Sequence, residues 1–251
     1  MEFRHFDGDR EEVIEESMDR IDGLVCSSIE METVEQVLGL HREYPGFVFA
    51  CLGLHPPRSV EVSEGYIDEH KQLIRDNVGD IVAVGEVGLD YYHLKDSGER
   101  ERSKEVFREY IDLSNELQLP LVVHSRDSMG DVLDILEGEK EEVLIHCFAG
   151  NEEHLEEALD RDYYLSFGGM IFRAPNKYKK LLRKTPLDNL LLETDAPFLA
   201  KKKRNRSNPW FIKEIAQKIA EIKKNNFNQI WRKAKENAKE IFKIKPNKKP
   251  K

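Results

Sequence analysis

The chain has 251 residues, 39% of them apolar, and a net charge of −9, which allows either two small domains or one α/β barrel of about 250 residues. No apolar run approaches the roughly 18–20 residues of a membrane span, and the acidic N-terminal stretch does not resemble a signal peptide. The three cysteines (Cys26, Cys51 and Cys147) lie on apolar segments without CxxC spacing, which predicts buried thiols of a cytoplasmic protein.

Short apolar segments predict seven strands, at 24–29, 47–54, 81–87, 119–123, 143–145, 163–167 and 190–192. Amphipathic segments between them predict helices at 9–18, 31–44, 64–77, 99–117, 128–137, 151–160, 175–183, 210–224 and 228–241. This βα alternation indicates a parallel sheet in one domain over residues 1–242. An eight-stranded barrel needs one more strand, so the pattern leaves two alternatives: an open seven-stranded sheet, or a barrel whose first strand is missing.

The charge is unevenly distributed along the chain. Residues 1–169 carry 15 Lys and Arg against 41 Asp and Glu, whereas residues 170–251 carry 24 against 7. A local basic region can attract phosphate groups even in a net acidic protein. The basic C-terminal tail, residues 243–251, is more simply interpreted as a solvated and frayed end.

Five of the apolar segments lead into a residue of a type that binds metals. These residues are His55, Glu86, His124, His146 and Asp195. Parallel strands point the same way, so we expect the five side chains to converge on the face where barrel enzymes have their active sites. Two histidines and a carboxylate are a usual ligand set for a catalytic divalent metal. Because a buried carboxylate needs a cation, the sequence predicts that Glu86, His124 and His146 share a metal site.

Structural interpretations remain open for several of these residues. Asp195 begins an Asp-Ala-Pro turn, and His55 precedes two prolines and can simply hold its loop. Tyr91 and Tyr92 can serve only in packing. The remaining histidines show no partner pattern and are predicted to lie at the surface, namely His5, His41, His70, His93 and His154.

Five motifs at these residues resemble the TatD family of metal-dependent hydrolases, deoxyribonucleases of the amidohydrolase-like barrel superfamily. In the order and spacing of the family they are Gly53-Leu54-His55-Pro56, Gly85-Glu86-Val87-Gly88-Leu89-Asp90-Tyr91-Tyr92, His124-Ser125-Arg126, His146-Cys147-Phe148-Ala149-Gly150 and Glu193-Thr194-Asp195-Ala196-Pro197-Phe198-Leu199. The similarity extends to about Phe242 and implies a TIM-type (β/α) barrel.

The resemblance also implies a site for two divalent metal ions, with Mg, Mn and Zn not distinguished. Glu86 would bridge both ions, and His124 and His146 would hold the second. Asp195 would contribute to the first ion and would orient or deprotonate the attacking water.

The substrate implied by the resemblance is DNA, cleaved at phosphodiester bonds near its ends. His55 and Tyr91 would line the site. Arg204 and Arg206 lie in a stretch similar to the family's Arg-Asn-x-Pro segment, and guanidinium groups suit phosphate. We therefore expect a cytoplasmic deoxyribonuclease that binds DNA, with no membrane and no stable protein partner.

One family feature has no counterpart in the chain. The family begins with a strand that ends in a His-x-His pair, ligands of the first metal, whereas His5 precedes a helix in a different context. A start at an internal Met or a genuine loss would both explain this. Two alternatives follow: a one-metal or inactive scaffold, and a hydrolase of an aminoacyl-tRNA or another ester or amide. An open sheet would also expose the edges of the strands at 24–29 and 190–192.

Overall fold

The computed structural model of the chain describes Met1, residues 4–202 and residues 205–244. Arg204 and most of the predicted basic tail lie outside these described residues. The centre of the fold is one sheet of seven parallel strands, each paired with the next along the chain. The strands are β1 (Leu24–Ser28), β2 (Val48–Leu52), β3 (Ile81–Asp90), β4 (Leu121–Arg126), β5 (Val143–Ile145), β6 (Tyr164–Phe167) and β7 (Leu190–Leu192).

The described part of the chain contains α1 (Arg10–Met18), α2 (Met31–Glu43), α3 (Pro56–Ser59), α4 (Glu64–Asp76), α5 (Ser97–Leu117), α6 (Met129–Ile135), α7 (Glu152–Asp160), α8 (Met170–Arg173), α9 (Pro175–Lys184), α10 (Ile212–Lys223) and α11 (Phe227–Ile241). The helices between the strands cover the outer face of the sheet, which curls into a half-barrel. No helix in these described ranges is both long and apolar enough to cross a membrane.

The predicted seven strands and their parallel order are confirmed. The strand at 81–87 continues to Asp90, and the strand at 119–123 begins at Leu121 and continues to Arg126. The short helices α3 and α8 were not predicted, because a single helical turn has too little periodicity to be recognised.

His70 is the clearest correction among the histidines expected at the surface. It is fully buried, and its Nδ1 lies 2.6 Å from the hydroxyl oxygen of Tyr110 on α5. His70 shares the apolar face of α4 with Ile67 and Ile74, at helical spacings of three and four residues. That spacing was the signal for its burial.

The inner face of the sheet carries an apolar layer with one residue from each of β2 to β7. This layer consists of Cys51, Ala83, Val122, Leu144, Tyr164 and Leu191. Ile241 at the end of α11 and the following Phe242 pack against it. The apolar layer therefore fills one level of the interior of the half-barrel. Residues further along each strand lie next to this layer, on the side of the carboxyl ends of the strands.

Candidate active site

Polar side chains lie directly above the apolar layer because side chains in a strand alternate between its two faces. His124, His146, Ser166 and Glu193 each follow an apolar-layer residue by two positions, which places them on the same face. All four line one cavity of about 1480 Å³. The predicted polar residues thus converge because every second side chain of a strand faces the same side of the sheet.

Glu86 reaches this face through an irregularity in β3. Gly85 pairs with Val122 of β4 and Val87 pairs with Val123, so Glu86 is an extra residue between two pairs. Such a bulge redirects the side chain and shifts the alternation by one residue. Ala83 and Gly85 face inward before the bulge, and Gly88 and Asp90 face inward after it, opposite His124 and Arg126.

Gly88 allows β3 and β4 to approach each other closely at this point. Its φ is +137°, and a Cβ atom there would lie 2.1 Å from the carbonyl oxygen of His124. A residue with a side chain would have to separate the two strands that carry Glu86 and His124.

The carboxylate of Glu86 is the centre of the site. Its Oε1 atom lies 2.7 Å from Nδ1 of His124 and 3.8 Å from Nε2 of both His55 and His146. The possible ligand atoms of His55, Glu86 and His124 all lie within 4.8 Å of one another. His55, which sequence reasoning assigned to substrate, therefore belongs to the same cluster as the predicted metal ligands.

The ionisable groups of the cluster strongly affect one another's pKa values. Burial alone would raise the pKa of Glu86, but the imidazoles of His146 and His124 lower it well below its ordinary value. Burial opposes protonation of His124, yet its hydrogen bonds to Asp90 and Glu86 raise its pKa to about 9. Burial lowers the pKa of His55 to about 4, which keeps that imidazole neutral at neutral pH.

Two carboxylates that sequence reasoning did not assign hold the histidines in place. Asp90 is almost fully buried, and its Oδ2 accepts from Nε2 of His124 at 3.2 Å. The same oxygen lies 2.8 Å from Nδ1 of His93. Glu193 lies with Oε2 2.6 Å from Nδ1 of His146. A carboxylate on one ring nitrogen fixes the orientation of a histidine and directs the other nitrogen towards a metal.

Asp195 lies across the site from Glu86. Its Oδ1 is 3.8 Å from Nε2 of His146, and its φ of +51° is a strained, left-handed conformation, as is the +46° of Cys147. Such backbone strain concentrates at functional sites. Burial raises the pKa of Asp195 to about 7, so that its carboxyl group can accept or release a proton near neutral pH.

The donor set suits a divalent metal. His55 is neutral, and the Nδ1 of His146 is held by Glu193 while its Nε2 faces Glu86 and Asp195. Glu86, Asp90, Glu193 and Asp195 place four carboxyl groups around these histidines. Imidazole nitrogen with carboxylate oxygen is the usual protein ligand set of hydrolytic divalent ions. A cation would balance the carboxylates when the histidines lose their protons.

The residues predicted to bind substrate do not all lie at the cavity. The hydroxyl of Tyr91 donates to Asp131, away from the cavity. Arg206 lines the cavity, but its guanidinium donates to both carboxylate oxygens of Asp9 at 2.7 and 2.5 Å. Arg204 lies outside the described residues. The site therefore brings together His55, Glu86, His124, His146 and Asp195, whereas the Tyr91 hydroxyl does not join them.

Comparisons with known proteins show which family the chain belongs to. A protein-family model described as TatD related DNase matches residues 1–243. The Bacillus subtilis protein "Uncharacterized metal-dependent hydrolase YabD" is 36% identical over 246 residues, which covers 95% of this chain and 94% of YabD. Human "Deoxyribonuclease TATDN3" is 31% identical over 249 residues, which covers 94% of this chain and 90% of the human protein.

Solved structures show the same relationship. The crystal structure of YJJV, a TatD homolog from Escherichia coli, superimposes with a TM-score of 0.89 at 25% identity, and the match covers 97% of this chain and 95% of YJJV. In the present chain, the histidine and carboxylate cluster at the carboxyl ends of the strands is what a metal-dependent hydrolase requires. The chain belongs to the TatD family of metal-dependent hydrolases.

Proposed function

We propose that the chain is a divalent-metal-dependent deoxyribonuclease that cleaves phosphodiester bonds at DNA ends in the cytoplasm. The observation that carries this proposal is the placement of one carboxylate oxygen, Oε1 of Glu86, within 3.8 Å of ring nitrogens of three histidines. His124 lies on β4, and His55 and His146 follow β2 and β5. The name of the human relative, a deoxyribonuclease, supports DNA as the substrate.

We further propose that the cluster holds two ions. Oε1 of Glu86 lies within 3.8 Å of ring nitrogens of His55, His124 and His146, and Nε2 of His146 lies 3.8 Å from Asp195. The cluster therefore offers more donors than the three protein ligands that a single catalytic ion usually takes. When bound, the ions would lower the pKa of a water molecule towards neutrality and neutralise charge on the phosphoryl group.

The chain's own residues have separate tasks in this reaction. Asp195, whose Oδ1 lies 3.8 Å from Nε2 of His146, accepts the proton of the attacking water on a carboxylate oxygen. Glu193 keeps the ring of His146 oriented through Nδ1, and Asp90 does the same for His124 through Nε2. The side chains of Glu86 and His146 are only 14% and 16% exposed, so a phosphodiester has to enter the cavity to reach them.

The test is nucleotide release from single-stranded DNA with Mn²⁺, Mg²⁺ or Zn²⁺. Glu86→Gln keeps the shape of the side chain and removes its charge, so we expect a loss of kcat of at least about 100-fold. Glu116→Gln is the matched control, since Glu116 pairs with Arg75 on the outer helices, and it should retain wild-type activity. Wild-type protein that is as inactive as Glu86→Gln with every metal would refute the nuclease assignment.

Two further measurements refine the proposal. A circular single strand should resist cleavage if the enzyme acts at ends, whereas rapid cleavage of the circle would show endonuclease action. Elemental analysis after equilibrium dialysis should give two ions per chain. A single bound ion with no DNA cleavage would instead support the one-metal scaffold.

A further inference from the structure

Two arginines at the mouth of the active-site cavity make no ion pair with any described carboxylate. Arg126 and Arg173 both line the cavity. Arg126 lies over an aromatic ring, and Arg173 donates to a backbone carbonyl. Arg206, by contrast, is paired with Asp9. The site contains four carboxyl groups, so the positive charge of Arg126 and Arg173 favours the approach of an anionic substrate to the cavity.

Arg126 stands on one side of the mouth, stacked on Tyr92. It is the last residue of β4 and follows His124 by two positions, so both side chains leave the same face of the strand. The carbon at the centre of its guanidinium lies 3.7 Å from the centroid of the Tyr92 ring. Tyr92 is 51% exposed, and its ring therefore orients the guanidinium while remaining open to solvent.

Arg173 stands on the other side, at the end of α8. Its Nη2 donates to the carbonyl oxygen of Ala200 at 2.8 Å, and its Nε is buried without a hydrogen-bond partner in the described structure. Phe198, 43% exposed, lines the same cavity. Because β5 lies between β4 and β6 in the sheet, His146 after β5 lies between the Arg126 side and the Arg173 side.

Two exposed aromatic residues belong to the same region as these arginines. Among the described residues, four large apolar side chains are highly exposed, and the two aromatic ones are Tyr92 and Phe198. Tyr92 stacks on Arg126, and Phe198, whose ring centroid lies 5.6 Å from that of His5, lines the cavity together with Arg173. Exposed aromatic rings beside cations are the usual elements of a single-strand nucleic-acid site, where rings stack on bases and guanidinium groups bind phosphates.

We propose that Tyr92 with Arg126 and Phe198 with Arg173 form two nucleotide subsites that hold a single DNA strand on both sides of the cleaved phosphate. This inference rests on the proposed nuclease function and extends it by naming the residues that recognise the flanking nucleotides. It adds Arg126 and Arg173 to the predicted phosphate-binding arginines, of which Arg206 pairs with Asp9 and Arg204 lies outside the described residues. The two subsites direct the strand across the carboxylate cluster between them.

The test is binding of a fluorescein-labelled octathymidylate to the full chain in EDTA, followed by fluorescence anisotropy over a range of salt concentrations. Arg126→Met should weaken binding about tenfold and reduce the slope of log K against log salt by about 0.7, the value for one lost phosphate contact. Arg173→Met should have a similar effect. Arg108→Met removes an exposed arginine of α5 outside the cavity and should leave both affinity and slope unchanged.

The aromatic part is tested by paired substitutions. Tyr92→Leu should weaken binding roughly 5- to 100-fold, the usual range for loss of one stacked base, whereas Tyr92→Phe keeps the ring and should bind like wild type. Equal affinity of Tyr92→Leu and wild type, or an unchanged salt slope in Arg126→Met, overturns the inference, as does a wild-type chain that does not bind the oligonucleotide at any salt concentration.

Failure of the inference and failure of the proposed function are distinguishable. Hydrolysis of bis(p-nitrophenyl) phosphate by the wild-type chain requires no flanking nucleotide and tests the metal-dependent phosphodiesterase chemistry by itself. Hydrolysis of this compound together with unchanged oligonucleotide binding in Arg126→Met and Tyr92→Leu would overturn the subsites alone. The oligonucleotide binding measured in EDTA decides the subsites even if the wild-type chain hydrolyses nothing.

Discussion

Glu193 acts on the site through another residue. Its Oε2 lies 2.6 Å from Nδ1 of His146, and it also accepts from the hydroxyl of Ser166 and from the backbone N–H of Cys147 at 3.1 Å. Burial alone would raise the pKa of Glu193, but the nearby charge and hydrogen bond of His146 lower it. An ionised Glu193 therefore fixes both the position and the protonated nitrogen of His146.

We predict that Glu193→Gln weakens metal binding roughly 10- to 100-fold, the usual cost of losing a carboxylate behind a ligating histidine. The amide has nearly the same shape, so the loss reports on charge and not on packing. Isothermal titration with Mn²⁺ measures the effect, and Glu116→Gln serves as the control. Unchanged affinity in Glu193→Gln would show that His146 does not depend on this carboxylate.

The sequence predicted the convergence of His55, Glu86, His124, His146 and Asp195 because each stands at the carboxyl end of an apolar segment. It missed Glu193, although Leu191, Glu193 and Asp195 follow the two-residue period of one strand face. Asp90 was beyond reach, because the bulge at Glu86 reverses the alternation of β3 and no sequence pattern marks the bulge. The contact between Tyr91 and Asp131 spans 40 residues and was equally hidden.

At the scale of the elements, β3 and β4 form the framework of the site. Gly85 and Gly88 permit the bulge and the close approach, so a small change in either glycine acts on the whole strand pair. The bulge and the close approach of β3 and β4 could not be predicted from these glycines, since a glycine in a strand equally marks a turn or a weak strand.

We predict that Gly88→Ala lowers the free energy of unfolding by at least roughly 1–3 kcal/mol, the usual cost of overpacking. The new Cβ would lie 2.1 Å from the carbonyl oxygen of His124, at a φ of +137°. Gly39→Ala is the matched control, because Gly39 is exposed in α2 and a Cβ there meets no atom within 4 Å. That change should stabilise the protein by about 0.5–1 kcal/mol. Urea denaturation measures both, and equal shifts in the same direction would contradict the proposed contact.

At the scale of the whole molecule, the half-barrel is more protected than an open sheet suggests. The expected exposure of the last strand is reduced by α11, where the buried Asn237 donates to the carbonyl oxygens of Leu187 and Leu190 at 2.7 and 2.8 Å. Lys235 of α11 pairs with Asp22 just before β1 at 2.9 Å. The alternation of strands and helices predicted the sheet, but this packing of the last helix depends on contacts between distant segments and was not predictable from pattern.

The charges inside the half-barrel also make the stability of the whole molecule depend on pH. In the metal-free protein, His124 has a pKa raised from 6.5 to about 9, so its contribution to stability is complete below pH 6.5 and is lost as the pH rises to 9. Burial raises the pKa of Asp195 from 3.8 to about 7, so this group lowers stability as the pH rises from 3.8 to 7 and adds no further change above pH 7. Between neutral and alkaline pH the change in stability from these two groups therefore comes from His124.

We therefore predict that the metal-free protein loses on the order of 2–3 kcal/mol of its free energy of unfolding between pH 6.5 and 9. Metal binding should have the opposite dependence, because His124 and His146 must release their protons before they can ligate. The gain in Tm caused by saturating Mn²⁺ should accordingly increase over the same pH range. Differential scanning calorimetry in EDTA and in Mn²⁺ measures both curves, and His124→Gln should flatten the metal-free curve. A metal-free Tm that rises towards pH 9 would show that the buried imidazolium between Glu86 and Asp90 does not stabilise this fold.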